Sequence, residues 1–304
     1  MNFRTIRTAA VAAVALTLAA CGGGGSGPGS PMHGQGSGEM PAVFESLLDR
    51  TDSLLFSAVH SRWSGTLAGE PVEDAAADAV ICVGARCTGP DGMAIEAGKT
   101  TIVAIVAGRG PGDATLGSRD GFDTVTATDR FEIGEKIASF TITASASATT
   151  YGFWGEHGFA ALTLGAGPLS GEAEGAPFAG EFGIASAYAA GDASGSNPTG
   201  LGSAAWHGIA EAARKDAFER LRGTATVTIA DLSRPRVGVT IDVPGHAIGA
   251  PGWTDMALDE GRFASGSAGT DWLSGSFHGP GHEEAWGVFD TTGHVGSFGA
   301  KREQ

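Results

Sequence analysis

The chain has few of the features that mark nucleic-acid-binding and membrane-spanning proteins. It carries 19 lysine and arginine residues against 34 aspartate and glutamate residues, a formal net charge of −15. Because a polyanion repels phosphate backbones, we do not expect nucleic-acid binding. The N-terminal apolar run, Thr8–Leu18, is shorter than the roughly 20 residues that a membrane-spanning helix needs.

Familiar catalytic motifs are also missing. The segment 92–100 resembles a phosphate-binding loop, but it has five residues between its glycines where four are needed, and a β-type run follows it. The segment 282–286 lacks the second histidine of a zinc-protease helix, and no Gly-x-Ser-x-Gly sequence occurs. We therefore expect a non-enzymatic protein with no catalytic residue, no cofactor and no metal ligand.

The first of only three cysteines ends a secretory signal. Arg4 and Arg7 form a basic region, the apolar run follows, and Leu-Ala-Ala-Cys at 18–21 fits a bacterial lipobox. This pattern predicts a signal peptide over 1–20 and acylation, including palmitate, of Cys21. An ordinary signal peptide with a chance cysteine is the alternative. Gly22, in place of aspartate, favours the outer membrane and cell surface.

Residues 21–40 are dominated by Gly, Ser and Pro and cannot bury enough apolar surface to become ordered. They predict a flexible tether that carries a globular body away from the bilayer. The apolar content of 42% predicts a folded body, and 50 glycines favour many tight turns over long helices. We expect this body to be a monomer.

The two remaining cysteines, Cys82 and Cys87, lie five residues apart. On a straight strand they would face opposite sides, but a turn between them would bring them together. A structural disulfide is the expectation, because a metal site would need two further ligands and neither a second cysteine nor paired histidines lie nearby.

Residues 41–147 predict one helix followed by a small sheet. Pro41 opens a segment with helically spaced apolar residues that continue through Leu54, Leu55, Ala58 and Val59. We interpret this apolar stripe as packing onto the body rather than as a binding surface for a partner helix. The segments 100–107 and 137–144 have strand patterns, and turn residues at 108–113 and 118–121 separate them.

Residues 148–304 predict short strands separated by turns about every ten residues. The expected strands are 152–164, 178–188, 203–209, 224–230, 237–243, 256–264, 272–278, 285–290 and 294–300. Hairpins at this spacing favour a soluble antiparallel β-barrel of about eight strands, in a mainly β protein. Residues 210–222 fit either a helix or the end of a long hairpin. A membrane barrel is the competing interpretation, but the strands are short, the chain already has an anchor signal, and it ends in Lys-Arg-Glu-Gln.

The C-terminal sequence resembles a known family. Residues 275–289 read GSFHGPGHEEAWGVF, and 295–302 read VGSFGAKR. They resemble the terminal hairpins of the transferrin-binding protein B β-barrel family, where Tyr is usual at His278 and Gly at Trp286. The segments 151–157 (YGFWGEH), 196–198 (SNP) and 202–208 (GSAAWHG) resemble other parts of the same pattern. The resemblance covers about residues 150–302.

This resemblance implies a barrel, and the motif residues are structural by their chemistry. Glycines let strands turn and coil, and the apolar members suit a core. The motif positions are Phe277, Gly279, Pro280, Glu283, Glu284, Gly287, Val288, Phe289, Phe298, Gly299, Ala300 and Lys301. The family includes transferrin receptors, factor H binders and haem-capturing relatives, whose contacts lie largely in variable loops. No binding residue is therefore transferred to this chain.

Histidines and tryptophans have competing interpretations. His278, His282 and His294 fall in or beside adjacent hairpins and could together hold haem or a metal. Turn and strand-surface histidines are the simpler interpretation. The six tryptophans are interpreted as packing residues rather than as a platform for a sugar or haem: Trp63, Trp154, Trp206, Trp253, Trp272 and Trp286.

Two functions follow from these expectations. The first is a surface lipoprotein that binds a protein, or its metal or haem cargo, for iron acquisition. The second is a structural envelope lipoprotein that uses the barrel as an interaction module. Haem or metal capture by the C-terminal histidines is a lower-ranked variant of the first.

Overall fold

The computed structural model describes residues 53–83, 86–88, 94–96, 114–137, 140–173, 175–248, 253–266 and 271–303. These residues form seventeen β-strands. In chain order the strands are β1 Ser53–Leu67, β2 Glu70–Val83, β3 Arg86–Thr88, β4 Ala94–Glu96, β5 Ala114–Arg119, β6 Phe122–Ile137, β7 Phe140–Trp154, β8 Gly158–Ala173, β9 Ala176–Asp192, β10 Ala204–Arg214, β11 Arg220–Ile229, β12 Arg236–Asp242, β13 Met256–Asp259, β14 Arg262–Ser265, β15 Trp272–His278, β16 Glu284–Asp290 and β17 His294–Arg302. No helix in the described part is long and apolar enough to cross a membrane.

The first nine strands form one sheet in the order β4-β3-β2-β1-β9-β8-β7-β6-β5. Sequence neighbours pair antiparallel except for β4 and β5, which lie at opposite edges. Strand β9 returns to pair antiparallel with β1 over the whole length of β1. The last eight strands, β10 to β17, form a closed antiparallel barrel, with β17 pairing with β10. The predicted mainly β class and eight-stranded barrel are therefore confirmed.

Tight turns set the register of several hairpins. Ala68-Gly69, Asp120-Gly121 and Glu260-Gly261 each join two strands, and all six residues have φ between 48° and 86°. Two consecutive residues with positive φ match the twist of antiparallel strands, and the second position in each turn is a glycine. The turn predicted over 118–121 lies at the second of these sites.

The buried apolar side chains form two cores, one inside the barrel and one where the barrel contacts the sheet. Inward-facing side chains of the barrel strands fill the first core, which includes Trp206, Phe277, Phe289 and Phe298. The second core joins the outer face of β10, β16 and β17 to sheet strands, and Trp286 lies in it. Since neighbouring residues on a strand face opposite sides, one strand such as β16 supplies both cores.

The expected helix is wrong where the structure describes it. Leu54, Leu55, Ala58 and Val59 lie in β1, which is paired on both edges, with β2 and with β9. Hydrogen bonding to two neighbouring strands overrides the helical spacing of the apolar residues. The remaining part of that prediction, 41–52, lies outside the described residues, as do the signal peptide, Cys21, the tether over 21–40 and the strand-like run at 100–107.

The barrel also begins later in the chain than expected. We expected it from residue 148, but β7, β8 and β9 belong to the sheet, and the barrel strands start at Ala204. Alternation within a strand identifies the strand but does not indicate which sheet it joins. The 41–147 and 148–304 division therefore does not match the division of the strands between sheet and barrel.

Several predicted strands agree closely with the structure. The strand 272–278 coincides with β15, and 285–290 and 294–300 lie within β16 and β17. The segment 210–222 is the end of a long hairpin, because β10 runs to Arg214 and β11 starts at Arg220.

Two predicted strands are wrong in extent. The expected strands 152–164 and 256–264 are each a hairpin, with turns at 155–157 and 260–261.

Cys82 and Cys87 lie directly opposite one another in the register of β2 and β3. We predict that they form a disulfide, which contributes about 2 kcal/mol to the free energy of unfolding by closing a small loop. Peptide mass spectrometry without reductant should detect a single cross-linked peptide containing both residues. Alkylation of both thiols before reduction would contradict the prediction, and the Cys82→Ser/Cys87→Ser variant is the control for the effect of reductant on stability.

Candidate functional site

The best-defined polar and aromatic site of the molecule lies where the barrel meets the sheet. Trp286 of β16 points away from the barrel interior and is fully buried. Its ring contacts Phe122 edge-on at 5.5 Å between centroids and Phe153 at 5.6 Å. Gly158 of β8 leaves room for the indole, because a Cβ there would lie 2.4 Å from Trp286 Nε1. This tryptophan is the centre of the contact between the two sheets.

Glu284 fixes the turn between β7 and β8. Its carboxylate accepts hydrogen bonds from the backbone N–H groups of Glu156 at 2.8 Å and His157 at 3.0 Å, and from Trp286 Nε1 at 2.9 Å. The side chain is buried, at 3% exposure. Three hydrogen bonds compensate the carboxylate for its loss of contact with water. A donor left without this acceptor would lower the free energy of unfolding. One side chain therefore joins barrel, turn and indole.

A charged network forms a second connection. Glu211 of β10 accepts two hydrogen bonds from Arg220, at 2.7 and 2.8 Å, and one from Arg119 of the sheet at 3.3 Å. The guanidinium of Arg220 stacks on Tyr151, 3.6 Å from the ring centroid. Arginine suits this position because its planar group can hold a carboxylate and pack on an aromatic ring simultaneously.

A third connection surrounds the β10–β11 turn. Lys215 is buried, forms an ion pair with the fully buried Asp290, and donates to the Thr291 carbonyl. His60 of β1 packs beside it and stacks on Phe218 with 5.9 Å between centroids. Burial, followed by the positive charge of Lys215, lowers the pKa of His60 to about 4. His60 is therefore neutral at neutral pH.

The family-motif residues divide between packing, turn and interface. Phe277, Phe289, Phe298 and Ala300 lie in the barrel core, whereas Val288 belongs to the interface core. Lys301 reaches the sheet, donates to the Gly121 carbonyl and lies 4.6 Å from the Phe122 ring centroid. The motif therefore describes the attachment of the barrel to the sheet as well as the barrel itself.

Close packing against aromatic rings, in addition to strand curvature, explains why glycines occupy these positions of the family motif. A Cβ at Gly287 would lie 2.6 Å from the Phe298 ring, and one at Gly299 would lie 2.2 Å from the Trp286 ring. Gly279, with a φ of +81°, and Pro280 lie in the turn between β15 and β16, and a Cβ at Gly279 would lie 2.3 Å from Glu283 Oε2 and 2.5 Å from the His157 ring. Glu283 lies on the surface of the same turn and accepts from Gly281 N at 2.9 Å.

The three candidate histidines have separate surroundings. His278 is fully buried, with Nε2 2.7 Å from Ser276 Oγ, so the expected surface position is wrong for this residue. His282 contacts Ser196 at the start of the loop before β10, and His294 contacts His246. Among the described residues, no group of three or more His, Cys, Asp or Glu side chains is placed to hold a metal ion.

Four of the six tryptophans fill cores as expected. Trp206 and Trp253 are fully buried in the barrel core, and Trp286 is fully buried in the interface core. Trp272 also belongs to the interface core, at 8% exposure. Trp253 donates to the Asp271 carbonyl at 3.1 Å, and Trp206 donates to the His282 carbonyl at 2.7 Å. Indole N–H groups buried in this way need such acceptors.

We predict that Glu284→Ala lowers the free energy of unfolding by about 3 kcal/mol, because it leaves one buried indole N–H and two part-buried backbone N–H groups without their acceptor. Urea denaturation of the full chain measures the loss. Glu283→Ala is the matched control, since the neighbouring carboxylate has 48% side-chain exposure and should cost less than about 1 kcal/mol. Equal losses for the two variants would contradict this role of Glu284.

His278 makes stability depend on pH. Burial, followed by the nearby His157, lowers the pKa of His278 to about 3. The pKa of this histidine in the unfolded chain is near 6.5, so between about pH 6.5 and pH 3 the unfolded chain is protonated at this position and the folded chain is not. The free energy of unfolding therefore falls as the pH decreases through this range.

We predict that His278→Gln removes this contribution. Relative to the variant, the wild-type free energy of unfolding should fall by about 1.4 kcal/mol for each pH unit below 6. Urea denaturation between pH 7 and pH 4.5 measures both chains. Parallel pH profiles would show that His278 does not titrate in this way.

Comparisons with known proteins find no matching family model and no matching curated protein. Structural superposition finds intact Ap-TbpB (N and C lobes), with 12% identity over 83% of this chain and 77% of that chain, at a TM-score of 0.29. It also finds the isotype 1 transferrin-binding protein B of serogroup B Neisseria meningitidis, with 12% identity over 81% of this chain and 44% of that chain, at 0.32. The vaccine antigen transferrin-binding protein B mutant from Haemophilus parasuis Hp5 has 10% identity over 84% of this chain and 77% of that chain, at 0.30. Superpositions at this level do not establish a shared fold, so membership of that family stays a prediction from the C-terminal motif.

Proposed function

We propose that this chain is a non-enzymatic surface lipoprotein that binds a protein partner, or the metal or haem cargo of one, for iron acquisition. In this proposal Cys21 carries the lipid, residues 21–40 form the tether, and the sheet and barrel form the binding body. The outer membrane is its location, with the body at the cell surface.

The filled interior of the barrel is the observation that carries the proposal. Its largest side chains are each less than 2% exposed: Trp206, Trp253, Phe263, Phe277, Phe289 and Phe298. Eight-stranded barrels either enclose a small ligand or are filled by side chains. Because this barrel is filled, the outer surface and the hairpin turns are the parts available to a partner, which suits a macromolecule better than an enclosed small molecule.

The interface between sheet and barrel supports the same function. Trp286, Glu284 and the Arg119–Glu211 ion pair join the two parts in one arrangement. A surface formed jointly by both parts is therefore preorganised, and preorganisation reduces the entropy lost on binding. The net charge of −15 favours a partner with a basic surface.

We predict that deleting the gene from its source bacterium impairs growth when iron is supplied only as haem or bound to a host carrier protein. Growth on an inorganic iron salt should be unaffected, since no carrier has to be captured. Complementation with the wild-type gene should restore growth, whereas Cys21→Ser should not, because the protein loses its anchor.

Membrane fractionation and labelling with a palmitate analogue show whether Cys21→Ser removes the anchor. Equal growth of the deletion and parent strains on every iron source would contradict the iron-acquisition function. An envelope defect in that strain, such as detergent sensitivity, would then favour the structural function. An absorption scan of the full chain after haem addition separates haem capture from capture of an iron-carrying protein.

A further inference from the structure

Two histidines from distant parts of the chain meet at one rim of the barrel. His246 lies in the turn after β12, where its backbone N–H donates to the Val243 carbonyl at 3.0 Å. His294 is the first residue of β17. The strands β10 and β11 separate β12 from β17 in the barrel, so His246 extends across two strand ends to reach His294. Both residues are partly exposed.

The two rings present nitrogen atoms to each other. His294 Nε2 lies 3.4 Å from His246 Nδ1, with the ring planes at 86° and the centroids 5.4 Å apart. This separation is longer than the roughly 2.7–3.2 Å of good hydrogen bonds from N–H donors. It does match the spacing of about 3.3 Å between two nitrogens that bind one tetrahedral ion with bonds of about 2.05 Å.

The two permanent cations near the pair are both engaged by carboxylates. Two positive side chains lie nearby, but each has carboxylate partners: Arg214 pairs with Asp216 and Glu219, and Lys215 pairs with Asp290. These three carboxylates outnumber the two cations. Asp216 also acts directly on His294 through its negative charge. The carboxylates therefore reduce, without reversing, the repulsion that Arg214 and Lys215 exert on a divalent ion at the pair.

The protonation state of His294 suits ligation. Burial, followed by electrostatic interaction with His246 and with the positive charges of Arg214 and Lys215, lowers the pKa of His294 below its ordinary value, and only the charge of Asp216 opposes this. A lower pKa leaves a neutral imidazole at neutral pH, and a neutral imidazole is the form that binds metal ions.

We propose that His246 and His294 form a binding site for a divalent transition-metal ion of the copper, nickel and zinc class. Imidazole nitrogens suit these ions, and Cu²⁺ binds such ligands most tightly. Two protein ligands leave at least two coordination positions for water or for a donor from a bound partner. The site therefore suits exchange of an ion, whereas a permanent structural site would be closed by four ligands.

Isothermal titration of the full chain with Ni²⁺ or Cu²⁺ tests the site, using protein purified without a polyhistidine tag. We expect one saturable site in the wild-type chain and an affinity at least about tenfold lower for His246→Ala and for His294→Ala. His207→Ala is the matched control, because this histidine has 50% side-chain exposure on the barrel and Glu303 as its charged neighbour. Its affinity should be unchanged.

Two further measurements separate loss of the site from loss of the fold. The Cu²⁺ complex of the wild-type chain should show hyperfine coupling to imidazole nitrogen in its electron paramagnetic resonance spectrum, and the double variant should lack the two-nitrogen pattern. Metal should raise the Tm of the wild-type chain and of His207→Ala but leave that of the double variant unchanged. Equal affinity in the double variant and His207→Ala, or no saturable binding by the wild-type chain, would overturn the proposal. Its outcome is independent of the growth assays, because it is measured on the purified chain without a partner.

Discussion

The arrangement of the molecule depends on one buried carboxylate beside one buried indole. Glu284 and Trp286 lie on the outer face of a barrel strand, two residues apart, and both enter the sheet at the turn between β7 and β8. The indole supplies apolar contact, and the carboxylate fixes the orientation of the barrel relative to the sheet, because its hydrogen bonds form only when the turn lies at the correct position and angle. A purely apolar contact between a barrel and a sheet would permit sliding. Here a shift of one residue would leave a buried charge without its donors, at a cost of several kcal/mol.

The ion pairs at the same interface act in a similar way at its periphery. Glu211 receives arginines from both parts of the molecule, Arg220 from the barrel and Arg119 from the sheet. Lys215 and Asp290 both belong to the barrel and are both buried. His60 of β1 in the sheet packs beside Lys215 and helps to shield it from solvent. Such desolvated pairs add modestly to net stability, and the Arg119–Glu211 pair forms only when sheet and barrel lie in this arrangement. The sheet and barrel consequently present their loops as one surface.

Sequence patterns predicted the individual strands well and their assembly poorly. Turn residues and alternation located β15, β16 and β17 closely, because local backbone chemistry determines where a strand starts and ends. The assignment of β7 to β9 to the barrel failed, since alternation is the same in an open sheet and in a barrel. The helix expected from Pro41 through Val59 is wrong over its described part, because Phe56 and Ala58 are buried within a strand that pairs with both β2 and β9. The two backbone partners of Glu284 lie 127 and 128 residues away, and a single sequence carries no signal for them.

The departures from the family motif are explained by the same interface. The resembled family usually has Gly where this chain has Trp286, and the indole needs space that the sheet must provide. Gly158 in β8 and Gly299 in β17 supply it, since a Cβ at either position would overlap the ring. His278, which replaces a usual Tyr, is accommodated beside Gly191, where a Cβ would lie 2.9 Å from Nδ1. Each unusual side chain is thus matched by a glycine from a different strand, and the matching residues come from the sheet as well as from the barrel. Such matching requires the sheet and the barrel to keep one fixed arrangement, so the barrel sequence can be understood only together with the sheet that covers it.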